Sequence, residues 1–310
     1  MLSAYRDDMR RAAARIAAGA SAMLRTRYGN IEYAERGAGD PLLVSHGVLG
    51  CHVDGVDGYW STLPGPGFRI VAPARFGYFG STLQAGATPA DQADAYAILL
   101  DHLRIDHCAV IGYSAGTASV LEFARRHADR VVALVLASAR LGGGVTLSRR
   151  LEPALRVAYG SDLLFWMYKK VLPGAYGRMM GAPKLHRPTA AEAQTLAGYR
   201  ELLFPFKPRR DGAIFDGFIS NRCADRFPLE DLTVPALVIS AVDDPLAPYR
   251  FAVKAAARIP AARLLTVERG GHLFLGHDAQ VREEIRTFLT SVALSGDTVP
   301  AGMPRQGRQQ

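Results

Sequence analysis

Ser114 sits at the centre of Gly112-Tyr113-Ser114-Ala115-Gly116, a G-x-S-x-G pattern. An apolar run from Cys108 to Ile111 precedes it, and a helix-like stretch from Ala115 to His127 follows. A serine on so sharp a strand-to-helix turn has its hydroxyl thrust away from the backbone. The small residues two before and two after it let the strand and helix backbones approach each other. The chemistry on offer is nucleophilic attack on a carbonyl, provided a histidine takes the serine proton and an acid orients the histidine. Five residues of this kind also arise by chance as a glycine-bounded turn, so the rest of the chain must supply the partners.

The chain holds eight histidines. His272 follows Gly270-Gly271 directly after an apolar run, Leu264 to Val267, on a loop at the carboxyl end of an expected strand, where ligands gather in open parallel sheets. His277 lies beside Asp278 at an expected helix start, where a local capping role suffices. His272 is therefore the expected general base. Two acids compete to orient it, Asp243 and Asp244, in a loop closed by Pro245. An oxyanion formed on the substrate needs two backbone N–H groups. Ala115, after the nucleophile, supplies one, and Val48, in the His46-Gly47-Val48 loop after the Leu42–Ser45 run, supplies the other. His46, before a glycine at a strand end, reads as an organiser of that loop.

These groups need a scaffold that brings strand ends together. Short β-branched runs at Ile31–Glu35, Leu42–Ser45, Phe68–Ala72, Cys108–Ile111, Val131–Leu136, Ala236–Ser240 and Leu264–Val267 alternate with helical stretches. That alternation predicts an α/β fold with a mostly parallel central sheet and helices on both faces. Thr88 and Pro89 predict a capped helix to about Leu103, with Ala93, Ala97, Leu100 and Leu103 at helical spacing, and Asp278 caps a last helix to about Val292. From about Leu141 to Asp231 no strand pattern occurs. Gly142-Gly143-Gly144 opens this stretch like a hinge, and apolar residues follow at helical spacing, which predicts a helical insertion. The expected organisation is a helical extension over 1–27, a core over 28–140 and 232–293, a helical cap over 141–231, and a disordered tail over 294–310.

Nearly half of the 310 residues are hydrophobic (49%), enough for a large core. The net charge of +8 is spread out, and no run alternates basic and aromatic residues as a nucleic-acid groove would. Cys51, Cys108 and Cys223 are far apart and odd in number, which points to neither a disulfide framework nor a metal site. No transmembrane segment is expected. Arg15 interrupts the alanine-rich run after Arg10-Arg11, unlike the core of an export signal, so a cytoplasmic protein is expected.

With Ile31-Glu32-Tyr33, His46-Gly47, Arg75-Phe76-Gly77-Tyr78-Phe79-Gly80-Ser81, the serine pentapeptide, Val238 to Pro245, and Gly270-Gly271-His272, the chain resembles the α/β-hydrolase-fold superfamily in its capped, single-domain form. The resemblance spans about residues 28–293. It implies the order Ser114, acid, His272, and it points to Asp244 as the acid, although Ala241 stands where similar proteins often carry glycine. Similar haloalkane dehalogenases and epoxide hydrolases carry an aspartate nucleophile, and Ser114 sets this chain apart from them.

The implied activity is hydrolysis of a carboxylic ester, thioester or lactone through an acyl-enzyme, with no cofactor and no metal. Similar triads also cleave carbon–carbon bonds of vinylogous diketones or support perhydrolysis and acyl transfer, and similar folds serve as small-molecule receptors. The expected partner is a small molecule with an apolar acyl or aromatic group. Phe165, Trp166 and Phe206, with Tyr168, Phe204 and Phe218, are candidates to line its pocket, although for any single one of them a place in the cap's own core is the more common outcome. Cys51 and His52, past the oxyanion loop, and Tyr113, beside the nucleophile, are further candidates.

Overall fold

The β-branched and small apolar runs form β1 (Ser21–Thr26), β2 (Gly29–Arg36), β3 (Asp40–Ser45), β4 (Phe68–Pro73), β5 (Cys108–Tyr113), β6 (Val131–Ala137), β7 (Ala236–Ala241) and β8 (Ala262–Val267). They join in one eight-stranded sheet of order β1-β2-β4-β3-β5-β6-β7-β8. The pairings from β4 across to β8 are parallel, and β2 pairs antiparallel with both β1 and β4. The computed structural model describes residues 1–57, 64–141, 147–183 and 188–296.

Every residue of β5 and of β7 is buried, as expected of parallel strands covered on both faces. On one face, α3 (Pro89–His102) and α4 (Thr117–Arg126) bring Tyr96, Leu99, Leu100, Val120 and Phe123 against Leu43, Val110, Leu134 and Val238. On the other, Val281, Ile285 and Phe288 of α12 (Asp278–Gly296) cover Ile111, Val135 and Ile239. Helix α3 starts where its sequence predicts. Thr88 accepts from the Asp91 N–H, the Asp91 carboxylate accepts from the Thr88 N–H, and Pro89 occupies the first turn. Among the described residues no helix, the short α2 (His52–Asp57) and α11 (Tyr249–Arg258) included, is long and apolar enough to cross a membrane.

Strand β3 lies between β4 and β5, so the chain leaves it first toward one sheet edge and later toward the other. The loops after β3 and β5 therefore face each other at a switch point, where a cleft opens at the carboxyl ends of the strands. Between β6 and β7 the described residues include α5 (Glu152–Tyr159), α6 (Asp162–Val171), α7 (Pro173–Met179), α8 (Ala190–Leu202), α9 (Arg210–Phe215) and α10 (Asn221–Asp225), with a π-helical turn at Asp216–Ser220 and no strand.

Two expectations at the ends of the chain need correction. The helical reading of 1–27 holds for α1 (Leu2–Ala18), but Ser21–Thr26 is β1, which pairs with β2 in the register Ala22 to Tyr33. Its residues are mostly exposed, so no alternation of buried and open positions marks it as a strand. At the other end α12 continues to Gly296, past the expected tail start at 294. Residues 297–310, and the Gly142–Gly144 hinge, lie outside the described residues.

Candidate active site

The elbow is built by close backbone approach. Ser114 has φ 49°, in the left-handed region, and begins a single helical turn, Ser114–Gly116, between β5 and α4. A residue other than glycine is costly in that conformation, and its presence marks a position held by its surroundings. A Cβ on Gly116 would stand 2.4 Å from Ser45 O and 2.6 Å from His46 O, and one on Gly112 would stand 2.4 Å from a Val120 methyl group. The spacing of small residues around the serine thus follows from the contact of the turn with β3 and α4. Ala115, inside the first turn, has no partner for its N–H within that turn.

His272 lies on the turn Gly271–Leu273 after β8, and Asp244 in the loop after β7. Nδ1 of His272 donates to Asp244 Oδ2 at 2.8 Å, with Oδ1 at 3.1 Å. Asp244 Oδ1 also accepts the N–H groups of Leu246 (2.8 Å) and Ala247 (2.9 Å), so the acid is fixed before it meets the ring. Asp243 does a different task. Its oxygens accept the N–H groups of Gly270 (3.2 Å) and Gly271 (2.8 Å), which ties the histidine loop to the acid loop. The backbone of His272 is held on both sides, its N–H donating to Gly181 O at 3.1 Å and its C=O accepting from the Ser138 hydroxyl at 2.7 Å. His277 bonds Gln280 on the surface.

The loop after β3 is organised by His46. Its Nδ1 donates to Gly47 O at 2.8 Å, and its Nε2 accepts from the Arg75 N–H at 3.0 Å. Burial, reinforced by the nearby Arg75 charge, holds its pKa well below the ordinary range, so the ring is neutral. A Cβ on Gly47 would stand 3.2 Å from that of Ser114, which places the His46–Val48 loop directly against that serine.

Ser114 and His272 line one cavity of about 40 Å³ with Gly47, Val48, Leu49, Tyr113, Met179, Met180, Tyr199, Leu203 and Leu246. Apart from His272, these side chains carry no charge. Of the candidate pocket residues, Tyr113 is among them. Phe165 and Phe206 instead stack on each other at 3.9 Å between ring centres. Trp166 meets the edge of Tyr5 and donates from Nε1 to Asp8 Oδ2 at 2.7 Å. These three, with Phe204 and Tyr176, form a core between α1 and the helices after β6, which meets the cavity wall through Leu49, Met180 and Leu203. Large aromatic faces are more fully covered by one another than by a narrow cleft, and that core takes them. Tyr168 packs against Tyr176, and Phe218 lines a different groove with Ile214 and Phe215. Cys51 is buried beside the Arg209 guanidinium (3.7 Å), with its thiol pushed up to about 12 by burial. His52 is buried against Glu32.

Met179, Met180, Tyr199, Leu203 and Leu246 were absent from the sequence candidates. Met179 and Met180 stand before Gly181-Ala182-Pro183, a helix-stopping run, and that was the only signal. A Cβ on Gly181 would stand 2.2 Å from that of His272, so the stop brings this segment onto the histidine.

The alpha/beta hydrolase family model matches residues 42–284. The chain is similar to an uncharacterised hydrolase of Bacillus subtilis, with 28% identity over 81% of this chain and 91% of that one. It is also similar to a pimeloyl-[acyl-carrier protein] methyl ester esterase of Xanthomonas campestris, with 30% identity over 59% of this chain and 70% of the relative. Among solved structures, an alpha/beta hydrolase fold protein from Nakamurella multipartita superposes with a TM-score of 0.69 at 26% identity, covering 87% of this chain and 99% of that one.

Proposed function

Because the chain belongs to the alpha/beta hydrolase family and is a hydrolase, we propose that Ser114, His272 and Asp244 hydrolyse a small carboxylic ester, thioester or lactone through an acyl-enzyme. The observation that carries this reading is the shared cavity. A serine in a strained elbow and a histidine whose far nitrogen is held by a buried carboxylate open into the same space. The esterase named in the Xanthomonas relative supports an ester as the substrate class.

In the proposed reaction His272 Nε2 accepts the Ser114 proton as Oγ attacks the substrate carbonyl carbon. The carbonyl oxygen takes up the electron pair and is stabilised by the Val48 and Ala115 N–H groups. Collapse of that intermediate expels the alkoxide or thiolate, to which His272 returns the proton. Water then repeats the sequence on the acyl-serine and releases the acid. Asp244 holds the ring in the tautomer that leaves Nε2 free to accept, and it stabilises the imidazolium that forms.

The segment between β6 and β7 acts as the cap. It supplies Met179, Met180, Tyr199 and Leu203 to the cavity wall, so the acyl pocket is apolar and small. Cys51, Cys108 and Cys223 are free, which supports work in a reducing compartment such as the cytoplasm. The test is hydrolysis of a short-chain p-nitrophenyl ester by wild type and Ser114→Ala. Loss of nearly all turnover in the variant supports the reading, and equal rates would remove Ser114 from the mechanism.

A further inference from the structure

The Arg75–Ser81 segment contributes no group to the proposed chemistry, yet it holds some of the most buried polar groups in the protein. Arg75 donates through both terminal nitrogens to the Asp216 carboxylate, at 2.6 and 2.5 Å. Tyr78 donates to the same carboxylate at 2.5 Å. Asp216 belongs to the π-helical turn of the cap, 141 residues from Arg75 in sequence. All three side chains are buried. Charges withdrawn from water this far are costly unless fully paired. Burying them on the path from the cap to the sheet needs a reason beyond stability, because apolar residues fill such space at lower cost.

The reason lies at the other end of the cluster. The Tyr78 hydroxyl accepts the N–H of Leu49 at 3.3 Å, and its ring packs edge-on against His46 at 4.7 Å between centres. The Arg75 N–H holds His46 Nε2, and His46 Nδ1 holds Gly47 O. The carbonyl of Leu49 accepts from the buried Arg209 guanidinium, which the cap supplies. On one side of Val48, Leu49 is held by Tyr78 and Arg209, which lead to or belong to the cap; on the other, Gly47 is held by His46, whose ring is fixed by the backbone N–H of Arg75, the residue that pairs with Asp216. Leu49 itself is in the left-handed conformation at φ 60°. Backbone contacts run alongside, Gly212 N–H to Gly77 O at 2.8 Å and Phe79 N–H to Pro208 O at 2.6 Å.

We propose that Tyr78, Arg75 and Asp216 are positioning residues that set the Val48 N–H for the oxyanion, so that the seating of the cap and the competence of the oxyanion loop are one event. The inference rests on the acyl-transfer reading of Ser114. A shift of such a donor by a fraction of an ångström weakens the transition state and leaves substrate binding largely intact, because the donor meets full charge only as the oxyanion forms.

Tyr78→Phe is the decisive variant, since it removes one hydroxyl and leaves the Arg75–Asp216 pair in place. Asp216→Asn is the second. The measurements are kcat and KM on a p-nitrophenyl ester, and Ki for a trifluoromethyl ketone, which adds to the serine to give a bound oxyanion. Circular dichroism and Tm are recorded on the same samples. The expected result is a fall in kcat of about 30-fold, KM within about threefold, and a Ki rise that parallels the kcat loss. Folded variants with kcat and Ki within about twofold of wild type would overturn the proposal. So would failure of both variants to fold, which would assign the cluster to stability alone. Fluorophosphonate labelling separates the two readings. Unlabelled wild type sinks the serine mechanism, whereas labelled wild type with unaffected variants sinks only the positioning role.

Discussion

Asp244 stands 2.8 Å from Nδ1 of His272, while its neighbour Asp243 takes the N–H groups of Gly270 and Gly271. Adjacent carboxylates thus hold the ring and the backbone of the same loop. The two roles separate in experiment. Asp244→Asn presents an amide N–H to Nδ1 and stabilises the wrong tautomer, so kcat falls by about 10⁴-fold with the fold intact. Asp243→Ala leaves two N–H groups without their acceptor, so stability falls by about 2 kcal/mol while kcat falls less than about tenfold. Steady-state kinetics and urea unfolding on the two proteins check the division.

Gly116 faces backbone on two sides, and no rotamer change can relieve a Cβ that stands 2.4 Å from Ser45 O. Gly116→Ala therefore pushes β3 and the elbow apart. The expected cost is about 3 kcal/mol, read as a fall of about 5 °C in Tm, with loss of ester turnover because the serine moves with the turn. An unchanged Tm would show that the elbow is looser than its contacts indicate.

A cavity this small is expected to take short acyl chains, and Leu246, partly exposed at its rim, is the wall residue whose truncation is expected to cost the fold least. Leu246→Ala is expected to raise the rate on octanoyl relative to acetyl esters by about tenfold. Phe165→Ala is the control. It opens the aromatic core rather than the cavity, so it costs about 3 to 5 kcal/mol and leaves chain-length preference unchanged. A selectivity change in the Phe165 variant would return that residue to the pocket.

His46 is neutral in the folded protein because burial and Arg75 hold its pKa well below the ordinary value of about 6.5. The unfolded chain takes up a proton below about pH 6.5 that the native state refuses, so stability falls as pH drops through that value. His52 is displaced in the same direction. Each such group adds a slope of about 1.4 kcal/mol per pH unit on the acid side. Urea unfolding between about pH 7.5 and about pH 5.5 is expected to show a shallower slope for His46→Gln than for wild type. Identical slopes would mean that His46 is protonated in the native state.

The parallel strands and the elbow were legible because their signals are local: short buried runs, a capped helix at Thr88, small residues about Ser114. Strand β1 was hidden because it is an open edge with little to bury. The aromatics between β6 and β7 were ambiguous because an apolar residue at helical spacing carries no mark of whether it covers a neighbour or a substrate. Phe165 and Phe206, 41 positions apart, meet only in three dimensions. Asp216 and Arg209 were silent for the same reason. Their partners lie at Arg75, Tyr78 and Leu49, and neither residue sits in a spacing that announces a contact across the chain.

In the proposed reaction substrate acyl groups pass covalently through Ser114. Rapid quench of the protein with a p-nitrophenyl ester, followed by intact-mass and peptide mass spectrometry, tests it directly. The expected result is a transient mass increase equal to the acyl group, carried by the peptide containing Ser114, prolonged in Asp244→Asn and absent in Ser114→Ala. Turnover with no adduct under any quench time, or an adduct that persists in Ser114→Ala, would contradict it.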